Sequence, residues 1–344
     1  MLSHFMKSGA LYARAKCMYG KRLTREQYEA LASRHSMSDL ILYLKAETGY
    51  KDVLAGINEN MLHYGQIEAL IKRNLLREYQ RLCALVFGND RKLMDFILLR
   101  AEMMEILEFI MLLMAGRQGE YICGLPDLLR SRTKINFAGL ASCTDYSGFM
   151  EALRGTHYYP TLSDFAVQSP IDFTQLELAI TRDYYRRIQE MAKHIADART
   201  RKAIQARYRV QVEIININRI IRMKRYFGYS SGDTKKNLIR LGKTKDSALV
   251  QALVEADADS LDAVMENSRF GGVATSISNR DPERICYTLI YRRDVRVMYD
   301  PTPTVEAALA YIDLKEIEMR NIITIVEGIR YGLSVPKIME YLVM

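Results

Sequence analysis

Three glutamate–arginine pairs recur at one spacing along this chain: Glu68 and Arg77, Glu177 and Arg186, Glu283 and Arg292. Opposite charges at a fixed interval can close an ion pair or offer a cation to an acidic partner. Each pair is nine residues apart. On an α-helix that spacing turns about 900°, which puts the two groups on opposite faces. They cannot meet on one helix, so each must reach a neighbouring element, solvent or a partner. Two readings follow. One is a set of inter-helix ion pairs that locks the repeat. The other is a threefold-related ring of arginines, Arg77, Arg186 and Arg292, offered to a partner. Tyr184 and Tyr185 beside Arg186 and Arg187 have the composition of a base-stacking surface. No RNP-like motif accompanies them, and on an amphipathic helix such a pair reads as a core edge beside a solvated face.

Other chemistry is missing from the sequence. HExxH, paired CxxC and GxGxxG do not occur. The histidines His4, His35, His63, His157 and His194 lack metal-ligand spacing. The five cysteines, Cys17, Cys83, Cys123, Cys143 and Cys286, share no spacing and read as free thiols in a reducing compartment. Gly242-Lys243-Thr244 resembles the tail of a phosphate-binding loop, but Asn237 stands where that loop needs its opening glycine. The polar lead-in Asp233-Thr234-Lys235-Lys236 is no buried strand. No catalytic residue, cofactor site or metal site is expected.

The elements that carry the charged pairs are themselves repeated. Leu31, Ala32, Ser33, Ser38 and Leu44 fall without a gap on Leu140, Ala141, Ser142, Ser147 and Leu153. Gln66, Arg73 and Gln80 fall at the same shift on Gln175, Arg182 and Gln189. A fainter third copy places Ser247, Leu249, Val250 and Leu253 on the spacing of Ser147, Phe149, Met150 and Leu153. Three units of roughly 105–115 residues span the chain. Their expected bounds are 1–120, 121–228 and 229–344, set by glycine-rich punctuation around Gly116, Gly228 and Gly332.

Each unit reads as short helices followed by a hairpin of two long ones. In the first copy the short helices fall near 24–34, 37–47 and 50–57, with Ser36 or Ser38 as a cap for the second. The matching stretches lie near 135–165 and 238–270. The hairpins pair 64–87 with 91–115, 173–196 with 199–227, and 281–298 with 304–331. Ile67, Leu70, Ile71, Leu75, Tyr79, Leu82 and Val86 keep a helical period. Helix 91–115 is apolar nearly all round and is expected to be the buried member of its pair. Val210, Val212 and Ile214 alternate like a strand, yet the matching stretches of the other copies are rich in helix formers, so helix is expected there too. A short helix follows Pro336.

The pattern along the chain reads as all-α, and composition fits an ordinary soluble globular protein. The chain has 344 residues, 49% hydrophobic and 26% charged, with a net charge of +8. No run approaches a membrane span, and the first residues lack the form of a secretory signal. The basic surplus suits an acidic protein, anionic lipid or nucleic acid, or is simply a solvated surface.

Tyr12-Ala13-Arg14-Ala15-Lys16, then Tyr28, Leu31, Leu40, Leu44, Thr48 and Tyr50, resemble the N-terminal pattern of the C subunit of V-type/A-type ATPases, related to the eukaryotic d subunit. Glu213-x-x-Asn216 and Glu318-x-x-Asn321 resemble that family's recurring closing helix, and the first copy has Glu105-x-x-Glu108 at about this point. The resemblance covers essentially the whole chain. It implies three similar helical domains in a pseudo-threefold funnel and a non-catalytic role without cofactors. It also implies one copy per complex on the cytoplasmic face of the membrane, between the central shaft subunits and the proteolipid ring. On that reading the short-helix parts and the hairpin ends build the two docking faces. The competing reading is a helical-repeat scaffold unrelated to rotary ATPases, against which the length of the repeat argues.

Overall fold

In a computed structural model the protein is all-helical, with no strand among the described residues, which are 2–56, 64–84, 91–121, 123–125, 130–165, 171–195, 197–242, 246–277, 281–302 and 304–344. The first stretch forms α1 (Leu2–Tyr19), α2 (Arg25–Ala32), α3 (Met37–Glu47), α4 (Lys51–Leu54) and the long α5 (Tyr64–Cys83). The long α6 (Arg91–Met114) follows, then α7 (Phe137–Ser142), α8 (Tyr146–Ala152) and α9 (Tyr158–Leu162). Next come the long α10 (Phe173–Lys193) and α11 (Ala198–Phe227). The last stretch forms α12 (Ser231–Lys236), α13 (Ala248–Glu255), α14 (Leu261–Glu266), α15 (Gly271–Ala274), the long α16 (Pro282–Tyr299) and α17 (Glu306–Arg330), and α18 (Val335–Tyr341). After α1, short helices precede long ones in the expected order.

Local chemistry sets these boundaries. Thr24 and Gln27 form a capping box that starts α2. Ser36, rather than Ser38, caps α3 by accepting the Asp39 N–H at 3.1 Å. Asp172 caps α10, and Asp281 caps α16 ahead of Pro282. The strand-like alternation at 210–217 is helical and lies within α11, where Ile214, Ile217, Ile220 and Ile221 keep a helical period and are buried. The breaks expected at Gly88-Asn89-Asp90, Pro126 and Pro303 lie outside the described residues.

The chain divides into two compact units. Unit 1 comprises Met1–Phe87, Ile217–Gly228 and Ala248–Met344; unit 2 comprises Gly88–Asn216 and Tyr229–Ser247. Unit 1 is built round α17, which packs against α16, α5, α1, α2 and α18. Ala307, Ala308 and Ala310 of α17 are fully buried, and such small side chains permit close helix approach. Facing this core, α5 buries Ile67, Ile71, Leu75, Tyr79 and Leu82 at helical spacing, each contributing on the order of 2 kcal/mol of apolar burial.

In unit 2, α6 packs against α10 and α9 packs against α10. Within their own units, α5 packs against α17 and α6 packs against α10. Against expectation, α6 is not buried all round. It buries Phe96, Ile97, Ile106, Phe109 and Ile110 together with Glu102 and Glu105, and exposes Met111 and Met114. A glutamate reaches the buried side only where hydroxyl and amide donors await it, which is the case here.

Candidate functional site

The three recurring arginines lie outward, and each has its own surroundings. Arg77 is half-buried and donates to the Asp52 carbonyl at 3.4 Å. Arg186 is 61% exposed and pairs with Asp183 one turn earlier on its own helix. Arg292 is exposed. Of their glutamate partners, Glu283 forms an inter-helix ion pair with Arg320 at 3.1 Å, whereas Glu177 accepts from Thr181 at 3.2 Å. The side chain of Glu68 lies outside the described residues.

The next residue in each copy faces inward, and sequence reasoning passed over it. Glu78 is buried and accepts from the Tyr311 hydroxyl at 2.7 Å and from Arg81 at 2.8 Å. Arg187 donates to the buried Asp183 at 2.8 Å. Arg293 grips the fully buried Asp294 with two donors at 2.8 and 3.0 Å and also reaches Asp313 at 2.9 Å. A signal was present: Leu176, Ile180 and Arg187 fall on one helical face, as do Ile71, Leu75 and Glu78. A charge on an apolar stripe requires a buried partner. His157 approaches Asp183 at 3.7 Å, beyond hydrogen-bond reach, and burial pushes its pKa down to about 4. It is therefore neutral near pH 7 and adds no ion pair.

A hydroxyl–x–aromatic turn recurs three times at the end of the short-helix part. The Thr48 hydroxyl donates to the Leu44 carbonyl and accepts the Tyr50 N–H at 3.3 Å. The Thr156 hydroxyl donates to Leu153 at 2.7 Å and accepts the Tyr158 N–H at 3.2 Å. The Ser268 hydroxyl donates to Met265 at 2.7 Å and accepts the Phe270 N–H at 3.1 Å. Each bond set presents an aromatic ring at the start of the next helix.

Two of these aromatics meet a carboxylate on a long helix. The Tyr50 hydroxyl donates to Glu318 of α17 at 2.9 Å, where Glu318 also accepts from the Leu23 N–H at 2.9 Å and from Lys315. The Tyr158 hydroxyl donates to Glu102 of α6 at 3.2 Å, where Glu102 also accepts from Thr133. Three residues beyond each glutamate a second side chain captures downstream backbone. Asn321 accepts the Val343 N–H at 3.0 Å and donates to its carbonyl at 2.8 Å. Glu105 accepts the Gly124 N–H at 3.1 Å and the Tyr121 hydroxyl at 2.6 Å. Asn216 holds both backbone groups of Ile239, at 2.9 and 2.8 Å. The register of the first copy is therefore Glu102-x-x-Glu105, one turn earlier than the expected Glu105-x-x-Glu108.

The long helices α6, α11 and α17 end alike. Gly116, Gly228 and Gly332 follow them with φ of +68, +61 and +66°, the left-handed conformation that closes a helix. Large apolar side chains are exposed at each end: Met111 and Met114, Tyr226 and Phe227, Tyr331 and Leu333. Among the described residues no group of three His, Cys, Asp or Glu is placed to hold a metal ion. No described helix is long and apolar enough to cross a membrane. Cys17, Cys123, Cys143 and Cys286 are unbridged. Lys243 and Thr244 lie outside the described residues.

Residues 11–341 match the family model described as ATP synthase (C/AC39) subunit. The chain belongs to this family. Family membership makes it a non-catalytic subunit, in keeping with side-chain clusters that are structural ion pairs and hydrogen bonds. It is similar to the C subunit of the A-type ATP synthase of Thermococcus gammatolerans, 25% identical over 338 residues that cover 95% of this chain and 87% of the relative. The Methanosarcina mazei counterpart is 24% identical over 348 residues, covering 96% and 91%. That of Desulfurococcus sp. (strain SY) is 22% identical over 339 residues, covering 95% and 88%.

Proposed function

We propose that this chain is the coupling element of the central stalk in a V-type/A-type rotary ATPase. It joins the central shaft subunits to the membrane proteolipid ring, so that ATP hydrolysis or synthesis is linked to proton or sodium transport. The observation that carries this reading is the family match over residues 11–341. The protein is one copy per complex, peripheral, on the cytoplasmic face of the membrane. We read it as three similar domains, 1–120, 121–228 and 229–344, in a pseudo-threefold funnel. The hydroxyl–x–aromatic turns at 48–50, 156–158 and 268–270 support that reading, as do the glycine ends at 116, 228 and 332.

An adaptor must transmit torque without slipping. Long helices with buried seams, tied by side chains such as Asn216 and Asn321, suit that load. The exposed apolar ends of α6, α11 and α17 supply contact chemistry for docking, since aromatic residues and methionine are enriched at interfaces. Arg77, Arg186 and Arg292 are the candidate partner contacts, and the net charge of +8 favours acidic partners.

Removing the protein and assaying membranes tests the reading. ATP-driven ion pumping should fail, and unimpaired pumping overturns it. Exchanging Arg77, Arg186 and Arg292 for glutamate tests the arginine contacts. Shaft binding should weaken and lose salt dependence, and unchanged binding with unchanged salt dependence rejects them.

A further inference from the structure

Unit 1 contains a cavity of about 280 Å³ whose wall includes Tyr19, Arg22, Tyr28, Tyr291, Tyr311 and Lys315. Three of these polar groups already have partners within the protein. Lys315 pairs with Glu318, the Tyr311 hydroxyl donates to Glu78, and Tyr28 hydrogen-bonds Asn321. Arg22, Tyr19 and Tyr291 differ. The guanidinium of Arg22 lies 4.1 Å from the centre of the Tyr19 ring, and one of its nitrogens donates to the Tyr19 carbonyl at 3.3 Å. Among the described residues no carboxylate lies within ion-pair distance of Arg22, and the hydroxyls of Tyr19 and Tyr291 have no hydrogen-bond partner.

All three line this cavity, Arg22 from its exposed side. Burial pushes both phenols up, and in each case the charge of Arg22 opposes that shift, so its field reaches both rings. Glu318 on the same wall is matched by Lys315, and Glu26 is exposed at the wall. Leu314 and Ile317 add apolar surface. The cavity thus combines one unpaired guanidinium, two unused phenol donors and aromatic or aliphatic sides. A guanidinium beside oxygen donors fits a planar carboxylate.

We propose that this cavity is a socket for a carboxylate on an aromatic or aliphatic stem. Arg22 takes the carboxylate, Tyr19 and Tyr291 donate to its oxygens, and the stem lies among the rings. The proposal goes beyond the coupling reading and does not depend on it.

The test is a titration of the full chain, carrying isotope-labelled tyrosine rings, with 4-hydroxyphenylacetate and separately with its neutral amide. The acid should give saturable shifts. The amide should bind at least about tenfold more weakly, as the loss of a charge-assisted bond implies. Arg22→Gln should weaken the acid to the level of the amide, and Arg22→Lys should fall between. Equal binding of acid and amide, unchanged binding to the Arg22→Gln variant, or no saturable shift at all overturns the socket. The acid-against-amide comparison uses the native chain, so it stands even where a variant folds poorly. The same titration on the assembled complex separates the sources. Continued binding assigns the socket to a free organic acid, and exclusion of the probe assigns it to a partner's aspartate or glutamate. Both results support the socket, while failure of the isolated chain to bind leaves the coupling reading intact.

Discussion

The Glu318 site of unit 1 and the Glu102 site of unit 2 are the same joint with different electrostatics. In both, a tyrosine at the end of the short-helix part donates to a buried glutamate on a long helix. Glu318 has a counter-ion, because Lys315 lies one turn before it on α17 and both side chains are nearly inaccessible, at 10% and 6% exposure. The corresponding position before Glu102 is Leu99, which is buried. Among the described residues Glu102 has only hydroxyl donors, from Thr133 and Tyr158, with Arg187 as a more distant charge. Burial accordingly raises its pKa above the ordinary 4.5. One hydrogen-bonded geometry can therefore be held by an ion pair or by neutral donors, and the two respond differently to substitution and pH.

The largest effect is expected at the ion pair. Glu318→Gln leaves Lys315 buried without its carboxylate, and removing one partner of such a pair costs about 3 kcal/mol. Urea unfolding should show this as a lower midpoint. A loss under about 1 kcal/mol would mean that Lys315 finds water, and the contrast between the joints would shrink. Next in size is the clamp three residues on. Asn321→Ala strands the N–H and C=O of Val343 and is expected to cost about 2 kcal/mol. Glu105→Ala frees only donors, the Gly124 N–H and the Tyr121 hydroxyl, and should cost less in the same measurement. Smaller again are the hydroxyl deletions. Tyr50→Phe and Tyr158→Phe should each cost about 1 kcal/mol, with Tyr158→Phe the more damaging because Glu102 then keeps Thr133 alone.

How much of this was legible follows from what each feature depends on. The helix order, the Ser36 cap and the helical state of 210–217 rest on local pattern, and the sequence carries that pattern. The partner of α6 rests on polar groups far away in the chain. The inward face of α6 carries Glu102 and Glu105, whose donors are Thr133, Tyr158, Tyr121 and Gly124. Hydropathy cannot see that matching. The same limit explains the one-turn error in the Glu-x-x-Asn register, since the first copy uses glutamate where the others use asparagine. It also explains the emphasis on Arg77, Arg186 and Arg292. The eye finds a repeated residue type, while the inward neighbours Glu78, Arg187 and Arg293 repeat a position and not a charge.

The smallest expected effect decides most about the electrostatics. Glu102 has a folded pKa above its unfolded value, so the folded state holds its proton more tightly. Below the ordinary 4.5 both states are protonated and burial carries no charge penalty. As pH rises through that value the unfolded chain ionises first, and wild-type stability falls until the buried group also ionises. Glu102→Gln keeps an acceptor for Tyr158 and a polar partner for Thr133 without a titrating proton. The variant should therefore match the wild type under acid conditions and exceed it at neutral pH, with the difference opening as pH rises above 4.5. Glu318→Gln should show no such gain, because it removes the counter-charge of Lys315. Stability measured against pH for both variants supplies the check. A Glu102→Gln curve that runs parallel to wild type would mean that water or Arg187 already solvates the carboxylate, and the two joints would then be electrostatically alike.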